Sequence, residues 1–319
     1  MSGIKPMFGT ENLARLKRVL LHQPIESLAT ITQANYQYHL FNSVPKVDQY
    51  LREHEQYSQL LQAHDVEVLQ VKDFVHQTKD LLAKLPNLPY LHDTAVVTNK
   101  GAILSEMCPG SRAGEEQVVK EALTNIGIPI FHEFETNEQF EGCLILSPTT
   151  LIIVDTERLR PSTIERFFLK ALDLFEEVLY IKAPQARRFM HADMIFNRIS
   201  KDLALYFPPA FLRSYLINRH QRIEIDFKLY LEKKNIELVE ISDEEQQNWG
   251  CSFVPLEPKI LIHYDIALNA QTKKRLKQRG VQILEFHPEA LLAGGGSLRC
   301  LTLRLWRLIF VSVYINTPF

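Results

Sequence analysis

Cysteine is scarce in this sequence. The four residues, Cys108, Cys143, Cys251 and Cys300, follow no spacing of a disulfide framework and form no Cys-x-x-Cys pair. That excludes a stapled secreted scaffold and points to a reducing compartment. Charge of one sign is also missing. Lys and Arg number 36 against 38 Asp and Glu, a net charge of −2, and no basic block stands out. Nothing here provides a footprint for nucleic acid or an anionic membrane surface. No apolar run approaches the roughly 20 residues of a membrane-spanning helix. The first residues lack the charged-then-apolar pattern of a secretion signal. These absences together give the expectation of a cytoplasmic protein.

What the chain does have is apolar content, 46% of 319 residues, enough for a large core. Length alone suggests two domains, but a ring of repeats can carry it as one body. A repeat is visible. Five motifs start from Asp93 in LHDTAVV, Glu141 in FEGCLIL, His191 and Asp193 in MHADMIF, Trp249-Gly250 in NWGCSFV, and Cys300 in GGGSLRCLTL. They are separated by about 48, 50, 58 and 51 residues, the period of a supersecondary repeat.

Each motif opens a unit of the same order. Ala95–Val97 and Ala102–Leu104 flank the turn signal Asn99-Lys100-Gly101 and read as a hairpin. A helix from about Glu115 to Asn125 follows, stopped by Gly127, and then a strand over Ile128–Phe134. The second unit pairs Cys143–Leu146 with Leu151–Val154, opens its helix at Pro161, where proline is favoured, runs it to about Phe175, and closes with Glu177–Ile181. The third has Met194–Arg198, Leu203–Phe207, a helix over Ile223–Lys234 and a strand over Ile236–Ile241. The fourth has Ser252–Pro255, Ile260–His263, a helix over Ala270–Arg279 and a strand over Val281–Phe286.

The fifth unit is split between the two ends of the chain. Leu298–Trp306 supplies a strand, and Val19–His22, the Val47–Ala63 helix and Val66–Val71 supply the rest. Ends that complete one another close a ring and remove exposed sheet edges. The expectation is one α/β domain over residues 1–319. The apolar tail from residue 307 to 319 has no assigned role; it is rich in β-branched residues and aggregation-prone if exposed.

A thiol, an imidazole and three carboxylates stand at the heads of successive strands, where strand ends converge. Each also has a plainer reading. His191 and Asp193 alone suit a structural hydrogen-bonded pair, and Cys300 alone an ordinary buried cysteine. Arg112 and Arg158 default to solvated surface charges, and Asn87 beside Pro86 to a turn residue. A metal site from His191, Asp193, Asp93 and Cys300 uses ligand residue types but lacks ligand spacing. Gly294-Gly295-Gly296 precedes a strand, whereas a dinucleotide loop opens a helix. Such a run lets backbone approach a ligand closely.

In combination these motifs resemble the arginine deiminase branch of the guanidine-modifying (pentein, amidinotransferase-fold) superfamily. The likeness covers nearly the whole chain. It begins at Arg18-Val19-Leu20-Leu21-His22-Gln23-Pro24 and continues through Val44-Pro45-Lys46-Val47-Asp48, Glu53-His54, Leu60-Leu61 and Val66-Glu67-Val68-Leu69. It implies a five-bladed α/β propeller, five ββαβ-type repeats around a pseudo-fivefold axis. It implies Cys300 as nucleophile, His191 as general acid and base, and Glu141 as the carboxylate that orients the histidine and touches the guanidinium. It makes Asp93 and Asp193 the clamp on the guanidinium nitrogens. Asn87 matches a substrate-contacting asparagine, and Arg112 and Arg158 match arginines that hold the amino-acid carboxylate. It implies no metal and no organic cofactor. The implied partner is a small-molecule guanidine, and a homo-oligomer is left open.

The chemistry asks for the same set. A guanidinium is planar, cationic and unreactive, and carboxylates fix its plane through charge-assisted hydrogen bonds. A thiolate is nucleophilic enough to attack its central carbon, and an imidazole can pass the protons. The chain also departs from the family. Glu141 is followed by Gly142-Cys143-Leu144 instead of Gly-Gly-Asp, His92 precedes Asp93, Ala293 stands where an arginine is frequent, and Lys72–Leu85 is too short for the inserted helical bundle of the bacterial enzymes. Three functions follow as expectations: hydrolysis of arginine to citrulline and ammonia, or of a related guanidine as in dimethylarginine hydrolases and arginine dihydrolases; transfer of the amidino group to an amine; or binding without catalysis, which has no need of a nucleophile.

Overall fold

The computed structural model describes residues 7–308. They form five sheets, and each is built on an antiparallel pair followed by a strand parallel to the second. In the first, Ala95–Thr98 pairs antiparallel with Gly101–Leu104, and Ile130–His132 adds in parallel after the helix Glu115–Ile126. Gly101 makes the turn: it has φ +129°, and a Cβ there would lie 2.5 Å from the Pro129 carbonyl. Gly127 ends the helix in a left-handed conformation that glycine adopts without a steric penalty.

The same order recurs. Leu144–Ser147, Thr150–Asp155 and Glu177–Lys182 make the second sheet with the helix Pro161–Ala171. Phe196–Ser200, Leu203–Tyr206 and Glu237–Glu240 make the third with the helix Phe227–Lys233. Val254–Glu257, Ile260–Tyr264 and Gln282–Phe286 make the fourth with the helix Ala270–Gln278, whose start Asn269 caps. The fifth joins the two ends of the chain. Leu303–Arg307 runs antiparallel to Leu16–Leu21, and Glu67–Gln70 lies parallel to Leu16–Leu21 after the helix Val47–Ala63.

Two expected elements need correction. The helix expected over Ile223–Lys234 begins only at Phe227, capped by the Asp226 side chain on the Leu229 N–H at 2.8 Å. Arg222–Ile225 is instead a strand, paired with Arg213–Ile217 as a hairpin added to the second sheet. Its alternation of charged residues with Ile223 and Ile225 has the period of a strand. The strand expected from Leu298 starts at Leu303, so Cys300 sits in the preceding turn. Of the apolar tail, residues 309–319 lie outside the described residues.

Buried side chains tie each sheet to the next. One cluster joins Val96 and Ile103 of the first sheet to Leu151 and Ile153 of the second. Another links Leu144 and Ile152 to Phe196 and Leu205 of the third and Leu261 of the fourth. A third packs Val254 and Ile262 on Leu16 and Val19 of the fifth, and a fourth packs Leu20 and Leu303 on Ala95 and Val97 of the first. The sequence of shared cores thus returns to its starting sheet. Among the described residues no helix is long and apolar enough to cross a membrane.

Candidate functional site

The chemistry-bearing residues stand where the chain enters the first strand of a hairpin. Asp93 ends a 3-10 turn directly before Ala95–Thr98. Glu141 precedes Leu144–Ser147, and His191 and Asp193 precede Phe196–Ser200. Cys300 precedes Leu303–Arg307. All five are between 1% and 5% exposed, unlike ordinary acidic residues, which stay in water. The fourth motif behaves differently. Trp249 packs against two core clusters and is not among the residues that line the cavity holding Cys300 and His191. Ser252, three residues on, is what this segment sends to the centre.

One cavity collects most of the set. Asn87, Asp93, Arg112, Arg158, His191 and Cys300 line it. Glu141 and Asp193 stand one layer behind. Its interior space is about 40 Å³, room for a few water molecules and less than an amino acid needs. The strap between Leu21 and Val47 contributes to its wall through Leu40, which is held at φ +64°.

His191 lies between two carboxylates. Its Nε2 is 2.9 Å from Glu141 Oε2, a hydrogen bond, and its Nδ1 is 3.2 Å from Asp93 Oδ1 but off the hydrogen-bond axis. Burial works against the imidazolium, but Asp93 and Glu141 outweigh it and hold the pKa above the ordinary histidine range. Burial would lift Glu141, yet the His191 hydrogen bond and the Arg158 charge bring it down to about 2. Glu141 Oε1 also accepts from the Cys108 N–H at 2.6 Å. Glu141 is therefore an anion fixed on both oxygens, and it fixes the imidazole in turn. Asp93 is raised, by burial first and by Asp193 and Glu141, against the pull of His191 and Arg112.

Cys300 is held differently. Its Sγ is 3.4 Å from Ser297 Oγ; Ser297 Oγ is 2.7 Å from Ser252 Oγ; and Ser252 donates to Asp193 Oδ2. A chain of hydroxyls thus leads from thiol to carboxylate. Asp193 also has Arg299 Nε at 3.6 Å. Burial, with Asp193 and Asp93, pushes the Cys300 thiol up to about 12. This surrounding favours the thiol, and a cation brought beside these carboxylates is what would favour the thiolate.

The two arginines of the sequence reading are not on the surface. Arg112 is 4% exposed and Arg158 is 5% exposed. Arg112 pairs with Glu115 at 2.8 Å and Asp93 at 3.2 Å and donates to the Tyr90 carbonyl. Burial opposes its charge, but Glu115, Asp93 and Glu141 outweigh burial and keep it a guanidinium. Arg158 lies 3.5 Å from Glu141 and 3.4 Å from Glu157. Asn87 donates to the His39 carbonyl of the strap at 2.8 Å.

Several cavity residues escaped the sequence reading. Tyr90 explains the glycines: a Cβ on Gly294 would fall 1.5 Å from the Tyr90 hydroxyl, and one on Gly296 2.5 Å from its ring. The run therefore makes room for an aromatic ring as well as lining the cavity. Leu40, Met190 and Arg187 complete the wall. The signal for Arg187 was present, an arginine four residues before His191 on the same connection.

A profile of the arginine deiminase family matches residues 75–307. An arginine deiminase of Lactococcus lactis is 27% identical over 258 residues, 71% of this chain and 62% of that one. The uncharacterized protein YkgA of Bacillus subtilis is 27% identical over 302 residues, 92% of each chain. Among solved structures, the N-terminal domain of ArgZ, a cyanobacterial arginine dihydrolase, superposes with a TM-score of 0.69 at 18% identity, covering 90% of this chain and 96% of that one. A dimethylarginine dimethylaminohydrolase gives 0.63 at 15% identity, covering 91% and 99%. The chain spans less than two thirds of the Lactococcus enzyme's length, and among its described residues no α-helix lies between Gln70 and Ala95. With a profile matched over most of its length and an α/β fold shared with pentein structures, the chain belongs to the arginine deiminase family, hydrolases of C–N bonds in amidines.

Proposed function

We propose that this protein hydrolyses a guanidino substrate at Cys300, with L-arginine giving L-citrulline and ammonia as the best-supported reaction. The observation that carries the proposal is the single cavity lined by Cys300, His191 and Asp93 together. The guanidinium cation enters beside Asp93, whose carboxylate fixes its plane, with Asp193 one layer behind adding negative charge. The cation's charge favours the Cys300 thiolate, the thiol proton being released to solvent as the cation binds, and the thiolate attacks the central carbon to form a tetrahedral adduct. His191, whose protonated form Glu141 and Asp93 favour, gives a proton to one nitrogen, and ammonia leaves. An S-alkylthiouronium remains. His191 then takes a proton from water as the hydroxyl adds to that carbon; the C–S bond breaks, and the ureido product leaves with the thiolate restored. Asn87, Arg112 and Arg158 line the path of the rest of the substrate.

The same reading takes the five sheets as blades of a five-bladed α/β propeller around a pseudo-fivefold axis. Supporting it are the unit order repeated in every sheet, the joining of the chain ends and the return of the shared cores to the first sheet. It takes the chain as one catalytic domain acting in the cytoplasm without metal or organic cofactor. Transfer to an amine is the second reading, since the same thiouronium serves both.

The test is incubation with L-arginine, agmatine and methylated arginines, reading ammonia and ureido product. Parallel runs with glycine or ornithine, analysed by mass, detect amidino transfer. Absence of a ureido product, with its released ammonia or alkylamine, and of any transferred amidino group from every guanidine would sink the proposal.

A further inference from the structure

Behind the catalytic residues the core holds three further guanidinium groups, those of Arg299, Arg304 and Arg307. Arg299 and Arg307 are each 1% exposed. Both reach from the fifth sheet toward the start of the fourth. Arg299 donates to the Phe253 carbonyl at 3.3 Å, and Arg307 donates to the Pro255 carbonyl at 2.5 Å and to the Ala14 carbonyl at 2.7 Å. Arg304, on the strand Leu303–Arg307 between them, makes no hydrogen bond or ion pair among the described residues. The Nε of all three is buried without a hydrogen-bond partner.

Carbonyls solvate these groups but carry no net charge. Among the described residues the one carboxylate that pairs with the cluster is Asp193, 3.6 Å from Arg299 Nε and too far for a hydrogen bond. His92, 4.0 Å from the same carboxylate, adds no negative charge. Three positive charges therefore face one negative charge. Arginine cannot escape this by releasing its proton, because a guanidinium keeps it at neutral pH. The contrast with Arg112 is direct. There Glu115, Asp93 and Glu141 outweigh burial. Here burial prevails: with Arg299 and Arg307 it draws Arg304 well below the ordinary arginine range, and with Arg299 it draws Arg307 down to about 9. A buried charge without a counter-charge is costly, and a bound counterion offsets that cost.

We propose that Arg299, Arg304 and Arg307 form a binding site for a small inorganic anion of the size of chloride, between the fourth and fifth sheets. None of the three lines the catalytic cavity, so the inference stands apart from the hydrolase reading. The neighbouring Val254, Leu303 and Leu305 are buried, which leaves no place for an organic body on the ion. Arg304 keeps part of its accessible surface, although its Nε is buried and burial is the largest influence on its charge. That surface faces an interior space. The approach is from the end of the sheets that carries the hairpin turns, opposite the catalytic residues. A groove of about 630 Å³ lies there, lined by Ala14, whose carbonyl holds Arg307, and by Lys201 and Lys259 in the turns of the third and fourth hairpins. Two lysines against Asp202 give its mouth a positive balance, which draws anions in.

The experiment is thermal unfolding of the full chain in sodium gluconate, whose anion is too bulky to enter, with gluconate replaced stepwise by chloride at constant ionic strength. The Tm of the wild type should rise saturably by about 2–5 °C. Arg304→Met removes a charge but no hydrogen bond, and it should lose most of that rise, while Arg304→Lys should keep it. A wild-type Tm that ignores chloride overturns the proposal. So does a rise kept in full by Arg304→Met, which would put the anion elsewhere, as among the arginines of the catalytic cavity. Crystals grown with bromide in place of chloride need no variant. Anomalous density between Arg304 and Arg307 supports the site. Its absence there, or bromide at other positions as an adventitious ion only, overturns it.

Discussion

Cys300 should be a protonated, sluggish thiol in the empty protein and become reactive only when a cation sits beside it. Its pKa is pushed up to about 12 by burial, Asp193 and Asp93. At pH 7.5 that leaves roughly one thiolate in 30,000 molecules. A unit positive charge about 4 Å from the sulfur is worth about 4 kcal/mol at an effective dielectric constant near 20, or about three pK units. The thiolate fraction would then rise by two to three orders of magnitude. The assay is alkylation at fixed pH with two reagents of nearly the same shape, neutral 2-chloroacetamide and cationic 2-chloroacetamidine. Each rate is divided by that reagent's rate with a small free thiol. The normalised rate at Cys300 should favour the amidine at least a hundredfold, and Asp93→Asn should remove much of the difference. Equal normalised rates, or alkylation by neutral iodoacetamide that titrates near pH 7, would refute the reasoning. Either result would mean that the protein ionises the thiol without its substrate.

Cys300→Ala should abolish turnover and leave guanidine binding measurable by calorimetry, and Cys300→Ser should be nearly as inactive, because serine has no accessible anion at neutral pH; turnover retained in either would exclude the covalent route. Gly294→Ala should lower the urea midpoint by the equivalent of about 1–3 kcal/mol and depress kcat. Its Cβ would occupy the Tyr90 hydroxyl position, and a midpoint unchanged from wild type would show that Tyr90 moves freely. Acid should unfold the protein through buried neutral histidines. His22, His54 and His263 are lowered, chiefly by burial, from 6.5 to about 3, 4 and 4. A base with a depressed folded pKa takes its proton only on unfolding. The stability it gives is present above pH 6.5 and is lost as pH falls toward 4, by up to about 3 kcal/mol each. Unfolding at pH 5 should therefore take up about three protons or more, read from calorimetric heats in buffers of different ionisation enthalpy; uptake below one proton would contradict this burial.

The fold was legible because its punctuation is local. Gly101, Gly127, Pro161 and Asn269 act through their own backbone or first-turn geometry, so the hairpins and helix ends they mark can be read without knowing what packs on them. Arg222–Ile225 was harder. Ile223, Ile225, Leu229 and Tyr230 satisfy a helical spacing loosely, and only the Asp226 cap, which starts the helix later, separates the two readings. The strand before it, Arg213–Ile217, has no tight turn signal of the Asn-Gly kind to mark it in the sequence.

At the site, legibility followed chemistry rather than geometry. Cysteine, histidine and aspartate at the heads of strands announce themselves by type and position. What they lean on does not. Ser252 and Ser297 are 45 residues apart, and nothing in either segment says that their hydroxyls meet between Asp193 and Cys300. The charge balance is hidden in the same way. Arg112, Arg158 and Arg187 look alike in sequence, but two are buried against carboxylates and one has only a backbone carbonyl. A charge neutralised in the folded chain is already spoken for, and a charge left open is available to a ligand. That distinction belongs to tertiary contacts, which the local sequence around each arginine does not show.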